Sequence, residues 1–274
     1  MKPSSLPLAT VFYCEVYMFT VIVPFKNAAP WIRRCAESLR QLDGDVEFIF
    51  VDDGSTDGGD EIIEVFEAQD ERFRCLMNEN GEGVSGARNT GLDWASGDWV
   101  SFLDADDEYS PGALNAMIAS TRMYPDADLI QMNHVRVMPS GATVPRMFNA
   151  RGKYDLHNLP KLWMSSCNKL FRADLIEDIR FDEKLRHGED ELFILECLKR
   201  TRCIYNSEHI ALHYYKDNPN SLSTSTSFDD LLGEQRALLD FLDHNREDME
   251  LCFAVRQRMT ELWNNAVYKR TFGG

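Results

Sequence analysis

Between residues 19 and 107 the chain alternates short apolar runs with helix-like stretches, and three of its four runs end in polar clusters. Thr20-Val21-Ile22-Val23-Pro24 leads to Phe25-Lys26-Asn27, Val46 to Val51 leads to Asp52-Asp53-Gly54-Ser55-Thr56-Asp57, and Phe73 to Met77 leads to a Gly-rich loop. The fourth run, Trp99 to Leu103, stops at Asp104-Ala105-Asp106-Asp107. Strands that alternate with helices predict a mainly parallel sheet covered on both faces, with ligands bound at the strands' carboxyl ends. That constrains the chain to an α/β fold.

The helices between the runs fit this reading. Pro30 opens the first, where its missing N–H costs nothing, and Ile32, Cys35, Ala36 and Leu39 form a core-facing stripe. Ser55 to Asp57 are expected to cap the second helix, which carries Ile62, Ile63 and Phe66. Capping does not account for Asp52 and Asp53, which precede it. A third helix, Val84 to Ala95, carries Arg88 within its apolar stripe of Val84, Ala87, Gly91, Leu92 and Ala95. A guanidinium facing the core needs an anionic partner; a structural carboxylate and a ligand phosphate or nucleobase edge both qualify. Three carboxylates within residues 104–107 repel one another, and Mg²⁺ or Mn²⁺ would relieve that repulsion. A polar turn into the next helix, near Pro111, is the alternative.

The second half is less regular. Ala127 to Val137 reads as a fifth strand, 139–154 as a hairpin or loop, and Ala173–Asp178 as a short helix. Arg186-His187-Gly188-Glu189-Asp190-Glu191 enters an apolar helix, Leu192 to Leu198, where acidic residues also suit the helix dipole. Ile204 and Ile210–Tyr215 read as strands and Lys216 to Ser227 as a polar loop. Two amphipathic helices close the chain, striped by Phe228, Leu231, Leu232, Leu238, Leu239 and Leu242, then by Cys252, Val255, Met259, Leu262, Trp263 and Ala266. Both read as packing helices. The expected division is an extension over 1–17, with Met18 an alternative start, a first half over 18–137, a second half over 138–227 and a helical segment over 228–274.

The net charge of −16 argues against nucleic acid, which needs a basic face. Seven scattered cysteines without metal spacing suit reduced thiols in a cytoplasmic protein. The apolar stretch over 6–25 is interrupted by Glu15 and shows no small-residue cleavage site. GxGxxG after the first strand and GxxxxGK[ST] are both missing, which weakens a dinucleotide oxidoreductase and a P-loop NTPase.

Val21 to Pro24, Val51 to Asp57, Gly86-Ala87-Arg88-Asn89-Thr90-Gly91 and Phe102 to Asp107 occur in an order and spacing that resembles the family 2 glycosyltransferases of the GT-A (Rossmann-like) fold, of the bacterial, non-processive, inverting kind. Asn168-Lys169-Leu170-Phe171, Gly188 to Phe193, Tyr214-Tyr215 and Asn220-Ser221-Leu222-Ser223 extend the resemblance over about residues 19–225. It implies transfer of a sugar from a nucleoside diphosphate, usually UDP, to a hydroxyl of a saccharide or lipid-linked saccharide in surface polysaccharide or glycolipid assembly, with peripheral association at the inner membrane face compatible with it. On the matching positions, Pro24 and Asn27 border the nucleoside and Asp53 accepts from the base N–H. Arg88 contacts base or diphosphate, Asp104 lies near ribose and metal, and Asp106 is the main ligand of Mn²⁺ or Mg²⁺. Asp190 is the implied general base, and His213 or His209 completes the metal shell. The Gln-x-x-Arg-Trp motif of processive synthases is missing.

Three other functions share parts of this pattern. A haloacid-dehalogenase-type phosphatase would use Asp104 as nucleophile and Asp106 as acid, but carries its motif at the first strand. A sugar nucleotidyltransferase would need a basic Gly-rich loop after the first strand. A non-catalytic nucleotide-sugar-binding domain would not need every catalytic position filled.

Overall fold

The computed structural model describes residues 17–147, 152–154, 162, 164–201, 203–219 and 227–272. Residues 1–16 of the expected extension and the Asn220–Ser223 motif lie outside the described residues.

β1 (Phe19–Phe25), β2 (Val46–Asp52), β3 (Phe73–Met77) and β4 (Trp99–Phe102) pair in parallel in the order 3-2-1-4. Every residue of β1, β2 and β4 is buried, as expected of parallel strands covered on both faces. α1 (Ala29–Arg40), α2 (Gly59–Glu67) and α3 (Val84–Trp94) make the crossovers. α1 buries the stripe read from sequence, Ile32, Cys35, Ala36 and Leu39. α3 is buried continuously from Ser85 to Gly91. It lies so close to β1 that a Cβ on Gly91 would sit 2.4 Å from Ile22 Cγ2. All four strands therefore deliver their carboxyl ends to one edge.

The sheet continues as mixed rather than parallel. β9 (Lys169–Arg172) inserts antiparallel between β4 and β6 (Leu129–Val137). β10 (Ile204–Tyr215) runs parallel to β6 and antiparallel to β5 (Glu108–Tyr109). The two strands expected over 204–215 are one strand, kinked by register shifts between Asn206 and Leu212. β7 (Thr143–Arg146) folds back on β6 as a hairpin arm, and β8 (Gly152–Tyr154) pairs with β10.

α4 (Ala113–Met123) follows β5, and α5 (Ala173–Ile176) is shorter than the expected 173–178. α6 (Glu189–Arg200) starts three residues before the expected Leu192. α7 (Phe228–His244) begins with a capping box between Ser227 and Asp230, and α8 (Met249–Phe272) packs against it. Leu231, Leu238 and Leu242 of α7, with Cys252, Val255 and Leu262 of α8, are buried. Leu239 and Trp263, expected in the stripes, are exposed. The side chain of Ala266 lies outside the described residues.

Candidate active site

The carboxyl ends of β1, β2 and β4 meet the start of α6 around one cavity of about 1060 Å³. Pro24, Asn27, Asp53, Arg88, Asp104, Asp106 and Asp190 all line it. His213 and His209 are not among its lining residues; β10 presents the neighbouring Tyr214 to it instead.

The β1–α1 and β2–α2 loops hold one another. Asn27, at φ 51°, accepts at Oδ1 from the Thr56 N–H (2.8 Å), and its own N–H donates to Ser55 Oγ (2.9 Å). Asn tolerates this left-handed conformation because its short side chain bonds locally. The expected cap is corrected here. Gly58 is the N-cap of α2, and Asp57 accepts from the N–H groups of both Ala29 on α1 and Gly59 on α2. Ser55 donates its N–H to Asp52. Asp57 thus keeps one bond to the start of α2, while it and Ser55 also join the two loops. Asp53 then stands at the cavity wall, accepting at Oδ1 from Asn78 Nδ2 (2.7 Å) and the Gly83 N–H (3.0 Å), and at Oδ2 from Lys26 Nζ (3.1 Å). A carboxylate has about four acceptor sites, so one remains toward the cavity.

Asp104, Asp106 and Asp107 bring carboxylate oxygens within 4.8 Å of one another. Asp106 accepts from Asn218 Nδ2 (2.7 Å), while Asp107 accepts from the Tyr215 N–H at Oδ1 (2.7 Å). The buried Oδ2 of Asp107 has no hydrogen-bond partner among the described residues. Burial and the neighbouring Asp104 push the carboxyls of Asp106 and Asp107 above the ordinary range. A hard, all-oxygen donor set with an orphaned buried oxygen fits a divalent cation. The third member of this carboxylate group is Asp107; His213 is not among its residues.

Arg88 ties the cavity's two sides together. One terminal nitrogen donates to Glu189 Oε1 and Asp190 Oδ1, both at 2.9 Å, and the other to Asp104 Oδ1 at 3.3 Å. Burial opposes its charge, but Asp190, Asp104 and Glu189 outweigh that and hold the guanidinium firmly protonated. Of the two partners open from sequence, the structure displays the carboxylates. Adjacent residues on a helix point about 100° apart, which predicts that only one of Glu189 and Asp190 faces the cavity. Both line it, because a single guanidinium nitrogen gathers them. Burial, with Asp190 alongside, raises the Glu189 carboxyl to about 7.

Sequence reasoning places Lys169 in a family motif but gives it no role. It is fully buried on β9, with Nζ donating to the Ser165 carbonyl (2.7 Å) and to Asn168 Oδ1 (3.3 Å). Burial lowers its ammonium to about 7. Charged residues are rarely this buried, and only the unbroken apolar context of Leu170 and Phe171 hinted at it.

A four-strand parallel block extended by a mixed second half, with an acidic strand end facing a carboxylate pair, is the arrangement of the GT-A glycosyltransferases. The crystal structure of S. aureus TarS 1–349 in complex with UDP-GlcNAc superposes with a TM-score of 0.75 and 25% identity, covering 93% of this chain and 74% of that one. The family model of glycosyl transferase family 2 matches residues 20–180, and the chain belongs to that family. It is a glycosyltransferase acting on nucleotide sugars. The Bacillus subtilis uncharacterized glycosyltransferase EpsJ is 29% identical over 273 residues, which span 91% of this chain and 78% of EpsJ. Streptococcus pneumoniae glycosyltransferase GlyG is 34% identical over 118 residues, 43% of this chain and 39% of GlyG. No helix among the described residues is long and apolar enough to cross a membrane.

Proposed function

We propose that the protein is an inverting, divalent-cation-dependent glycosyltransferase that moves a sugar from a UDP donor to a hydroxyl of a saccharide or lipid-linked saccharide. The observation that carries this reading is Arg88, whose one guanidinium bridges Asp104 of the cation-type carboxylate group and Asp190 across the cleft. A single displacement needs these two charges on opposite sides of one reacting carbon, with no enzyme nucleophile between them. The choice of UDP is supported by TarS, whose crystal structures are in complex with UDP-GlcNAc and with UDP.

In this reading Pro24 and Asn27 border the nucleoside, and the remaining acceptor site of Asp53 takes the base N–H. Asp104, Asp106 and Asp107 would hold Mn²⁺ or Mg²⁺, which as a Lewis acid would neutralise charge on the leaving diphosphate. Asp190 removes the proton from the acceptor hydroxyl as its oxygen bonds to the anomeric carbon and the bond to the diphosphate breaks. Arg88 keeps Asp190 oriented while that happens. Its contact with the donor is indirect, through Asp104.

The test is a panel of nucleotide sugars scored for released nucleoside diphosphate, with and without Mn²⁺. The expected result is cation-dependent UDP release from a UDP sugar. Pyrophosphate or inorganic phosphate as the product, or no release and no binding of any nucleoside diphosphate, would refute the reading.

A further inference from the structure

The helix that carries Asp190 starts without a side-chain cap. Its N-cap is Gly188, at φ 85°, which offers no acceptor to the first turn. That turn is held by contacts to three other helices instead. Arg88 of α3 takes Glu189 and Asp190, as described. On the preceding side, His187 Nδ1 meets Glu234 Oε2 of α7 at 3.0 Å. On the following side, Arg258 Nε of α8 donates to both oxygens of Glu191, each at 3.1 Å.

The burial of these contacts makes them strong constraints. The side chains of Glu234 and Glu191 are only 4% and 3% exposed, so each charge depends on its partner. Packing adds to this. A Cβ on Gly188 would lie 2.5 Å from Glu234 Cγ, so α7 presses directly on the turn that delivers Asp190. Glu234, Arg258 and Leu262 also line the same cavity as Asp104 and Asp106. The C-terminal helices therefore do more than cover the sheet.

We propose that Glu234 of α7 and Arg258 of α8 are positioning residues that fix the first turn of α6, so that Asp190 is aimed at the attacking hydroxyl. The inference rests on Asp190 being the base. Neither residue exchanges a proton with substrate; each acts through its neighbour, His187 or Glu191. Displacing a catalytic group by about 1 Å can cost on the order of 10²-fold in rate, and two flanking ion pairs limit such displacement on either side of position 190.

The experiment is a double-mutant cycle between Arg258→Met and Asp190→Asn, with Glu234→Gln and Arg258→Lys beside it. Turnover is read as UDP release from the donor found by the panel, with water or acceptor as nucleophile. UDP affinity is read by calorimetry in Mn²⁺, well below each variant's melting temperature. Arg258→Met is expected to lower kcat about tenfold or more, with UDP affinity within about twofold of wild type. Glu234→Gln lowers kcat less, and Arg258→Lys recovers most of the loss. In the Asp190→Asn background the same Arg258→Met change should cost less than about twofold, because the group it aims is already disabled. Full additivity in the cycle, wild-type kcat in Arg258→Met, or parallel loss of kcat and UDP affinity would overturn the proposal. Wild-type turnover by Asp190→Asn would instead refute the assignment of the base, and so remove the premise separately.

Discussion

The two halves of the sheet organise their polar edges by different means. On the β3-β2-β1-β4 side, loops next to parallel strands are joined by bonds between neighbouring crossovers: Asn27 to Thr56, Asp57 to Ala29, Asn78 to Asp53. Most of these partners lie about one βα unit apart, and most of the bonds use backbone N–H groups. On the β9-β6-β10 side the corresponding work is done by charged pairs between distant elements. Arg88 reaches Glu189 and Asp190 across about a hundred residues, and Arg34 of α1 reaches Asp217 beyond β10 at 2.8 Å. Backbone-anchored loops have few alternative geometries. Ion pairs between packed helices depend on each partner being present and charged. The β3-β2-β1-β4 edge is thus built by local chain geometry, and the edge bearing Asp190 by long-range electrostatics.

The largest expected effect tests the first of these. Asp106→Ala should abolish transfer and cation-dependent UDP binding while leaving the melting temperature close to wild type, because a carboxylate raised by burial and by Asp104 is removed from a strand end. Calorimetry that found the same Mn²⁺-dependent UDP affinity in this variant would remove the cation group from the mechanism. Next comes Asp190→Asn, on the other side. It should lower turnover by roughly 10²–10⁴, the usual range for a general base, with UDP affinity little changed. Glu189→Gln should cost less in turnover, since its carboxyl is already raised to about 7 and an amide imitates the protonated form. Equal losses in the two variants would show that the pair acts as one unit through Arg88.

The same contrast explains what could be read from the residues. In the first half the apolar runs and helical stripes are local patterns, so β1 to β4 and the buried face of α1 were legible to within a residue or two. The residues that meet at the carboxyl edge followed from topology, since parallel strands deliver their ends together. In the second half, β9 pairs antiparallel on both sides, and no local pattern distinguishes an inserted strand from a loop before a helix. The shift within β10 is likewise a matter of pairing. Asp107 is one of the three mutually repelling acids, but His213 is the third metal residue expected, because sequence does not reveal which oxygens converge. The joint capture of Glu189 and Asp190 was hidden for a related reason: helical geometry separates them, and only the third dimension supplies the guanidinium between them.

Two stability predictions sharpen the comparison. Arg88→Met would leave the buried Glu189 and its neighbours without a counter-charge, and removing one partner of a buried ionic network costs about 3–5 kcal/mol. Chemical denaturation should show it, with Arg88→Lys restoring charge but not the fork that reaches both walls. A normally stable Arg88→Met that binds UDP poorly would mean the guanidinium serves the nucleotide directly. Gly91→Ala acts on the other half by sterics alone. Its methyl would meet Ile22 within 2.4 Å on a buried strand, and overpacking of this kind costs about 1–3 kcal/mol. A stability unchanged by Gly91→Ala would show that α3 can move off β1 freely.

The smallest effect is the dependence of stability on pH, and it should map chiefly to the second half. Glu189 and Glu191 are raised from 4.5 to about 7, in both cases chiefly by burial; for Glu191 the charge of Arg258 opposes that rise. His187 is raised above 6.5, first by its bond to Glu234. In each case the folded chain holds a proton that the unfolded chain gives up at lower pH. Stability therefore falls as pH rises through this window. The carboxylates' share is lost between about 4.5 and 7, and the histidine's above 6.5. In the first half, Asp70 is shifted the opposite way by its bond to Arg72, so its contribution is lost only on acidification below its ordinary 3.8. Asp106 and Asp107 are also raised, so the comparison must hold them constant. Burial lowers Lys169 to about 7 and His134 to about 4, and these two pull the other way over their own ranges. The measurement is therefore a difference between variant and wild type: Glu191→Gln should remove a falling contribution from the wild-type slope between about pH 4.5 and pH 7. Gly91→Ala should lower the whole curve without changing its slope. An unchanged slope in Glu191→Gln would place the titrating groups on the cation side of the cleft instead.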